Sequence, residues 1–194
     1  MIALQDSLEN EVVALEPLAA GHLADLRAHC NDPALWEHTF GSNPFGSDAE
    51  TRAWLDAADT DPTVVAFAIR EKSSGLVVGS TRYLDIHESY RKLEIGWTFV
   101  ARSHWRTGLN TACKELLLTR AFEQWNALRV QLKAEARNAR SREAMLRLGL
   151  IYEGTLRNFR IRPRDGSIRD VSFYSVIESE WPALKAHIAE LRLR

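Results

Sequence analysis

Arg106, Thr107, Gly108, Asn110 and Thr111 crowd one turn, in the stretch SHWRTGLN (103–110) and the residue after it. The turn runs from a strand-like LEIGWTFV into a helix-like TACKELLLTRAFEQW. A chain that leaves a strand through glycine and enters a helix exposes the first backbone N–H groups of that helix. Those donors and the positive end of the helix dipole make an anion site. Gly108 permits tight curvature and close approach of a phosphate. Thr107 and Thr111 would add hydroxyl donors, and Arg102 and Arg106 charge. The plainer alternative is a capped helix start with surface arginines. A nucleoside triphosphate loop would need Gly-Lys-Ser/Thr, which is absent here. A dinucleotide glycine fingerprint is absent as well.

The elements that must position this turn read as follows. VVALEPL (12–18) is a strand, AGHLADLRAHC (20–30) a helix, and 31–48 a loop or broken helix rich in Gly, Pro, Asn and Asp. A second helix spans 48–59, with Asp48 as its N-cap. Strands follow at 63–70, 76–86 and 92–100. In the last, Leu93, Ile95, Trp97 and Phe99 point one way, and Lys92, Glu94, Gly96 and Thr98 the other. The helix after Gly108 places Leu109, Ala112, Cys113, Leu116 and Leu117 on one stripe, continued by Ala121 and Trp125. Residues 128–136 alternate as a strand. Residues 138–149 form a helix between an Asn138 cap and a Gly149 stop. Two strands flank Asp165-Gly166, a hairpin signal, and a helix with Ser179 near its cap closes the chain. The single strand–helix–strand crossover makes 92–100 and 128–136 parallel and leaves the rest antiparallel. The fold class is α+β, with a mixed, mostly antiparallel sheet flanked by helices.

The 194 residues suit a single domain over 1–194. The start has no basic-then-apolar pattern of a signal peptide, and no apolar run is long enough to cross a bilayer. A net charge of −1 gives no reason to expect nucleic acid or an anionic membrane as partner. Cys30 and Cys113 read as buried reduced thiols in a cytoplasmic protein. His22, His29, His38 and His187 lack metal-ligand pairing, so no metal is expected.

The order of elements, and this turn in this place, resemble the GNAT superfamily of acetyl-CoA-dependent N-acetyltransferases. That family's pattern at the turn is Gln/Arg-x-x-Gly-x-Gly/Ala, and here it reads Trp105-Arg106-Thr107-Gly108-Leu109-Asn110. Gly108 matches, while Trp105 and Asn110 depart. LEIGWTFVARSHWRTGLNTACK, EARNARSREAMLRLGLIYEGTLR and RDVSFYSVIESEWP resemble the branch of ribosomal-protein N-terminal acetyltransferases. The resemblance runs from about residue 10 to 190. It implies that Arg106, Thr107, Gly108, Leu109, Asn110 and Thr111, with Arg102, hold the coenzyme A pyrophosphate. It implies that Trp97, Thr98, Phe99 and Val100 offer a splayed strand edge to the pantetheine arm, with Gly96 at a bulge. Asn138 would bond that arm, with Ser141 one turn on.

The chemistry this implies is direct attack of a primary amine on a thioester, with no acyl-enzyme. It needs a proton acceptor, a donor for the oxyanion and a hydrogen bond for the leaving sulfur. An α-amine, with a pKa of about 8, needs little help to deprotonate. Glu94 is the expected base, acting through water; its alternative role is a surface ion pair with Lys92 or Arg82. Tyr83, Asp85 and His87 are lesser candidates, and His104 reads as loop surface. The backbone N–H near Trp97 to Phe99 would polarise the carbonyl. The tyrosine that many relatives carry seven residues after the asparagine is Met145 here, so the leaving-group role passes to Ser141, with Tyr152 competing. Trp36, Phe40, Phe45 and Trp54 either shape the acceptor pocket or fill core. Arg160, Arg162 and Arg164 form either a solvated edge or an attractor for an acidic acceptor or a partner subunit, such as a second copy in a homodimer. The acceptor is a protein N-terminus or a small amine, with a non-catalytic acyl-CoA-binding module as the rival.

Overall fold

The computed structural model describes residues 6–39 and 41–192. The strands are β1 (Leu8–Glu9), β2 (Val13–Pro17), β3 (Val65–Glu71), β4 (Val77–His87), β5 (Lys92–Val100), β6 (Arg129–Glu135), β7 (Ile151–Ile161) and β8 (Ile168–Ile177). The helices are α1 (Leu23–Cys30), α2 (Pro33–Trp36), α3 (Asp48–Asp59), α4 (Leu109–Thr119), α5 (Ala139–Leu148) and α6 (Trp181–Arg192). One sheet takes the order β1-β2-β3-β4-β5-β6-β8-β7. Among the described strands only β5 and β6 pair in parallel, as their helical crossover requires. The expected α+β architecture is therefore present.

The parallel pairing covers only Lys92–Arg129, Leu93–Val130 and Glu94–Gln131. Beyond Glu94 the two strands part, and β5 runs on alone along that edge to Val100. β6 stays paired to β8 over its whole length. The fork between β5 and β6 is thus built into the sheet.

A second irregularity lies on the other edge of β5. Ser80 faces Phe99 and Arg82 faces Gly96, so three steps on β5 match two on β4. The extra residue is Trp97, whose φ of 48° is left-handed. This corrects the simple alternation and moves the bulge from Gly96 to its neighbour. Leu93 and Ile95 face α4, but past the bulge it is Thr98 that meets Lys114 of α4, at 2.7 Å. Phe99 turns to the other face, where it packs on Trp36, Phe45 and Trp54 with ring centroids 4.9–6.0 Å apart. Gly96 is needed for a different reason. A Cβ there would lie 2.8 Å from Leu84 and 2.9 Å from the Glu94 carboxylate.

The core on the α4 side joins Leu93 and Ile95 to Leu117, Phe67 and Tyr83, all buried. Fully burying each such side chain contributes roughly 1.5–3 kcal/mol. Cys30 and Cys113 are free and buried, and loss of water pushes both thiols up to about 12. Smaller expectations shift. The α3 cap is Ser47, whose hydroxyl accepts from Glu50 N at 3.2 Å, not Asp48. Glu180, not Ser179, reaches back to the Ile177 N–H at 3.0 Å before α6. The long helix ends at Thr119 and passes into a wider π-turn over Arg120–Gln124. Asn138 and Gly149 bound α5 as expected.

The arginine hairpin is also corrected. β7 ends at Ile161, so Arg160 alone of the three arginines lies in the strand and the period-two reading does not extend to Arg162 and Arg164. Arg162 is buried and donates to Glu37 O at 2.8 Å, and Arg164 donates to Trp36 O and Glu37 O at 2.8 and 2.7 Å. These two arginines satisfy the carbonyls at the end of α2 and tie the hairpin tip over the N-terminal helices. They are structural ties, not a solvated edge. Among the described residues no helix is long and apolar enough to cross a membrane.

Candidate active site

The turn after β5 has the shape of an anion cradle. Ala101 and Arg102 lead a short 3-10 turn through His104. Trp105 is then extended, and Arg106 and Gly108 take φ of 64° and 83°. These left-handed steps point successive amides the same way, which is how backbone nests are made. The first intrahelical bond of α4 is Ala112 N to Gly108 O at 3.0 Å. The N–H groups of Arg106, Thr107, Gly108, Leu109, Asn110 and Thr111 have no acceptor among the described residues. Thr107 spends its hydroxyl on His104 O at 2.9 Å, which fixes the turn. The Oδ1 of Asn110 is buried without a partner among the described residues. His104 sits 3.3 Å from Glu71 and belongs to the scaffold of the turn.

Trp105, where the family pattern has Gln or Arg, is a structural residue. Its indole N–H donates to Val100 O at 3.0 Å, and the Arg140 guanidinium lies 3.4 Å over its ring. Arg140 follows Asn138 at the start of α5. The stack therefore joins the two arms of the fork. Loss of water around Arg140 lowers its pKa. Arg102 lies exposed, 3.6 Å from Asp32, and lines the same side of the cleft. A cleft of about 250 Å³ collects Arg102, Trp105, Asn138 and Arg140 with Glu37 and His38. A larger concavity of about 700 Å³ lies on the β7–β8 hairpin, at Thr155–Asn158 and Asp170, and shares no residue with it. The cradle and fork, not that concavity, bring together the groups with chemistry.

Glu94 lies where the fork opens. It is 1% exposed, and its carboxylate accepts from Lys133 at 2.7 Å and Gln131 at 3.1 Å. Its expected surface pairing with Lys92 or Arg82 is therefore replaced by a buried pair across the fork. The signal that could have pointed to the β6 partners is the polar alternation Gln131, Lys133, Glu135, a pattern out of place on a central strand. Glu135, also buried, holds Arg169 at 2.7 Å and His38 Nδ1 at 3.4 Å. His38 thus has one ring nitrogen oriented by a carboxylate and lies in the cleft, a placement no sequence spacing signalled.

The remaining candidates separate clearly. Asn138 lines the cleft and caps α5 by accepting from Ser141 N at 3.1 Å. The Ser141 hydroxyl makes no hydrogen bond among the described residues and is half-buried. Tyr152 spends its hydroxyl in a chain to Thr155 at 2.8 Å and on to Ser172 at 2.7 Å. Met145 is core. Tyr83 points to the α4 side, donates to Leu117 O at 2.7 Å, and has its pKa driven far up by burial. It lies on the face of the sheet opposite Glu94, and Asp85 and His87 are exposed past Leu84, the β4 residue paired with Glu94. Trp36 and Phe45 are core, Trp54 is partly buried, and Phe40 lies outside the described residues. No group of three or more His, Cys, Asp or Glu among the described residues could hold a metal ion.

The acetyltransferase (GNAT) domain family matches residues 13–151. A candidate acetyltransferase from T. thermophilus is 36% identical in sequence, with all of both chains covered and a TM-score of 0.89. A GCN5-related N-acetyltransferase from Brucella melitensis is 29% identical over 96% of this chain and 85% of that one, also with a TM-score of 0.89. The candidate ribosomal N-acetyltransferase YdaF of Bacillus subtilis (strain 168) is 31% identical over 111 residues, 57% of this chain. The match spans 59% of that relative's length.

Proposed function

The chain belongs to the GNAT acetyltransferase family, and on that premise we propose that it transfers an acetyl group from acetyl-CoA directly to a primary amine, the α-amine of a protein N-terminus. The row of six amides without acceptors, set beside an opened strand edge, carries this reading. The amides of Arg106 to Thr111 suit a pyrophosphate, with Arg102 adding charge at the rim. The free edge of Trp97 to Val100 suits an extended amide-bearing arm, which would add to it like a strand. Asn138 is placed to bond that arm from the other side of the fork.

Glu94 takes the amine proton in this scheme, through water. Its ties to Lys133 and Gln131 hold the carboxylate in one orientation, which favours proton relay over direct contact. A backbone N–H at the Trp97 bulge faces the developing oxyanion. Ser141 supplies the hydrogen bond to the leaving sulfur. Its unengaged hydroxyl supports it over Tyr152, which is already committed to Thr155. No side chain forms a covalent intermediate.

The protein α-amine is supported by the likeness to a relative named for ribosomal acetylation and by the modest demand such an amine makes on a base. The test is thiol release from acetyl-CoA, followed across N-terminal peptides and small amines. Turnover with peptide α-amines and not with lysine side chains supports the reading. Turnover with small amines alone overturns the acceptor, and no thiol release with any amine overturns the activity.

A further inference from the structure

Arg82 of β4 is buried, yet its Nε and Nη2 have no hydrogen-bond acceptor among the described residues. Its guanidinium lies 5.1 Å from the Trp54 ring and 4.9 Å from the Trp97 ring. Two indoles thus hold the plane of the cation and leave its edge for a ligand. No carboxylate among the described residues pairs with it. Asp59 acts on it only through space, and Glu94, on the same face of the sheet, is engaged by Lys133 and Gln131. Two residues earlier on that face, the Ser80 hydroxyl is fully buried and also unpartnered. Three orphaned polar atoms therefore gather on the side of β4 that faces α3 and the aromatic cluster, next to the bulge. Buried polar groups are nearly always satisfied, so such a cluster signals a missing partner.

The chemistry of that partner follows from the edge. Nε and Nη2 are the two parallel donors by which a guanidinium takes a carboxylate side-on, with two N–H···O bonds. An amide or carbonyl oxygen fills one donor and leaves the other orphaned. A second cation, such as the remote ammonium of a polyamine, would be repelled. Trp97, half exposed at a left-handed bulge residue, is the wall of this site that can move to admit a ligand. We infer that Arg82, with Ser80, is a carboxylate subsite on the acceptor side, and that the favoured amine belongs to a molecule bearing a carboxylate close to it. The inference rests on the acetyltransferase reading for the direction of the amine. The carboxylate has two sources, the acidic side chain of a peptide's second residue or the α-carboxylate of a free amino acid.

The test is calorimetry on coenzyme A-saturated protein with matched probes: Ala-Asp-Ala-amide against Ala-Asn-Ala-amide, alanine against alaninamide, and spermidine. At least tenfold tighter binding of one carboxylate probe over its amide twin is expected, and the pair that discriminates identifies the source. Arg82→Gln should erase the discrimination, and Arg82→Lys should keep part of it, since a point charge loses the bidentate fit. Equal binding within both pairs, binding of neither, a preference for spermidine, or discrimination that survives Arg82→Gln overturns the inference. A buried water satisfying Arg82 would give the first of these results. If Arg82→Gln does not fold, by circular dichroism, the wild-type comparison alone decides. Coenzyme A saturation itself reports on the acetyltransferase reading, so the two ideas fail separately.

Discussion

Replacing Gly108 by aspartate separates the two things this residue does. Its φ of 83° is left-handed, and a Cβ built there meets nothing within 4 Å. Any L-residue therefore costs conformational energy, about 1–2 kcal/mol, with no clash to add. For a chain of this size that lowers Tm by roughly 2–8 °C, since each kcal/mol shifts it by about 2–4 °C. The fold should survive. Gly108→Ala carries the backbone cost alone, and Gly108→Asp adds a carboxylate beside the six free amides. At a separation of about 4 Å from a phosphate oxygen, like charges repel by about 1 kcal/mol in water and about 4 kcal/mol at a dielectric near 20. The exposed turn lies between these limits. Coenzyme A affinity should thus fall at least tenfold further for Asp than for Ala, about 1.4 kcal/mol or more. Isothermal calorimetry with coenzyme A on both variants gives the difference, and the gap should narrow in high salt, where charges at this distance are screened. Equal affinities for the two variants, both folded, would refute a phosphate site at this turn.

Glu94→Gln should lower kcat by roughly 10²-fold, with coenzyme A affinity unchanged and the deficit shrinking at high pH; wild-type turnover near neutral pH would reduce Glu94 to a structural partner of Lys133. Ser141→Ala should cost about 1–3 kcal/mol in kcat and nothing in acetyl-CoA binding; if only Tyr152→Phe slows turnover, the assignment is wrong. Lys114, buried on the inner face of α4, is lowered to about 8 by burial. Its unfolded state holds a proton that the folded state lacks between that value and the ordinary lysine value of 10.5, so its contribution to stability rises with pH across this window and is lowest below it. Cys30 and Cys113, raised to about 12, act in the opposite sense above about 9. Urea melts of wild type and Lys114→Met from pH 7 to 11 isolate the lysine: the variant's stability advantage should diminish as pH climbs through 8 to 10.5, and a constant difference would contradict the buried charge.

The turn, the parallel crossover, the α5 caps and the buried thiols were legible because each rests on local chemistry. A helix cap needs one side chain, and a strand-to-helix turn with open amides needs a short run. The fork and the bulge were not legible in the same way. LEIGWTFV alternates without fault in residue type, while the backbone slips at Trp97. The partner of Glu94 depended on which residues of β6 fall opposite it before the strands part. Arg162 and Arg164 looked like a charged edge because their acceptors, the carbonyls of Trp36 and Glu37, lie more than a hundred residues away and carry no side-chain signal.

The slip at Trp97 also accounts for a lysine in the core. A strand that changes parity hands its next residue to the opposite side. Thr98 is the residue delivered, into a layer built mostly of aliphatic and aromatic side chains. A hydroxyl arriving there needs company, and it finds Thr81 at 2.8 Å and Lys114 at 2.7 Å. The ammonium that seems misplaced on an apolar helix face is therefore the answering half of a backbone irregularity on the neighbouring strand. The turn of Phe99 into the aromatic cluster on one side of the sheet and the polar knot locked inside the other are two ends of the same one-residue step.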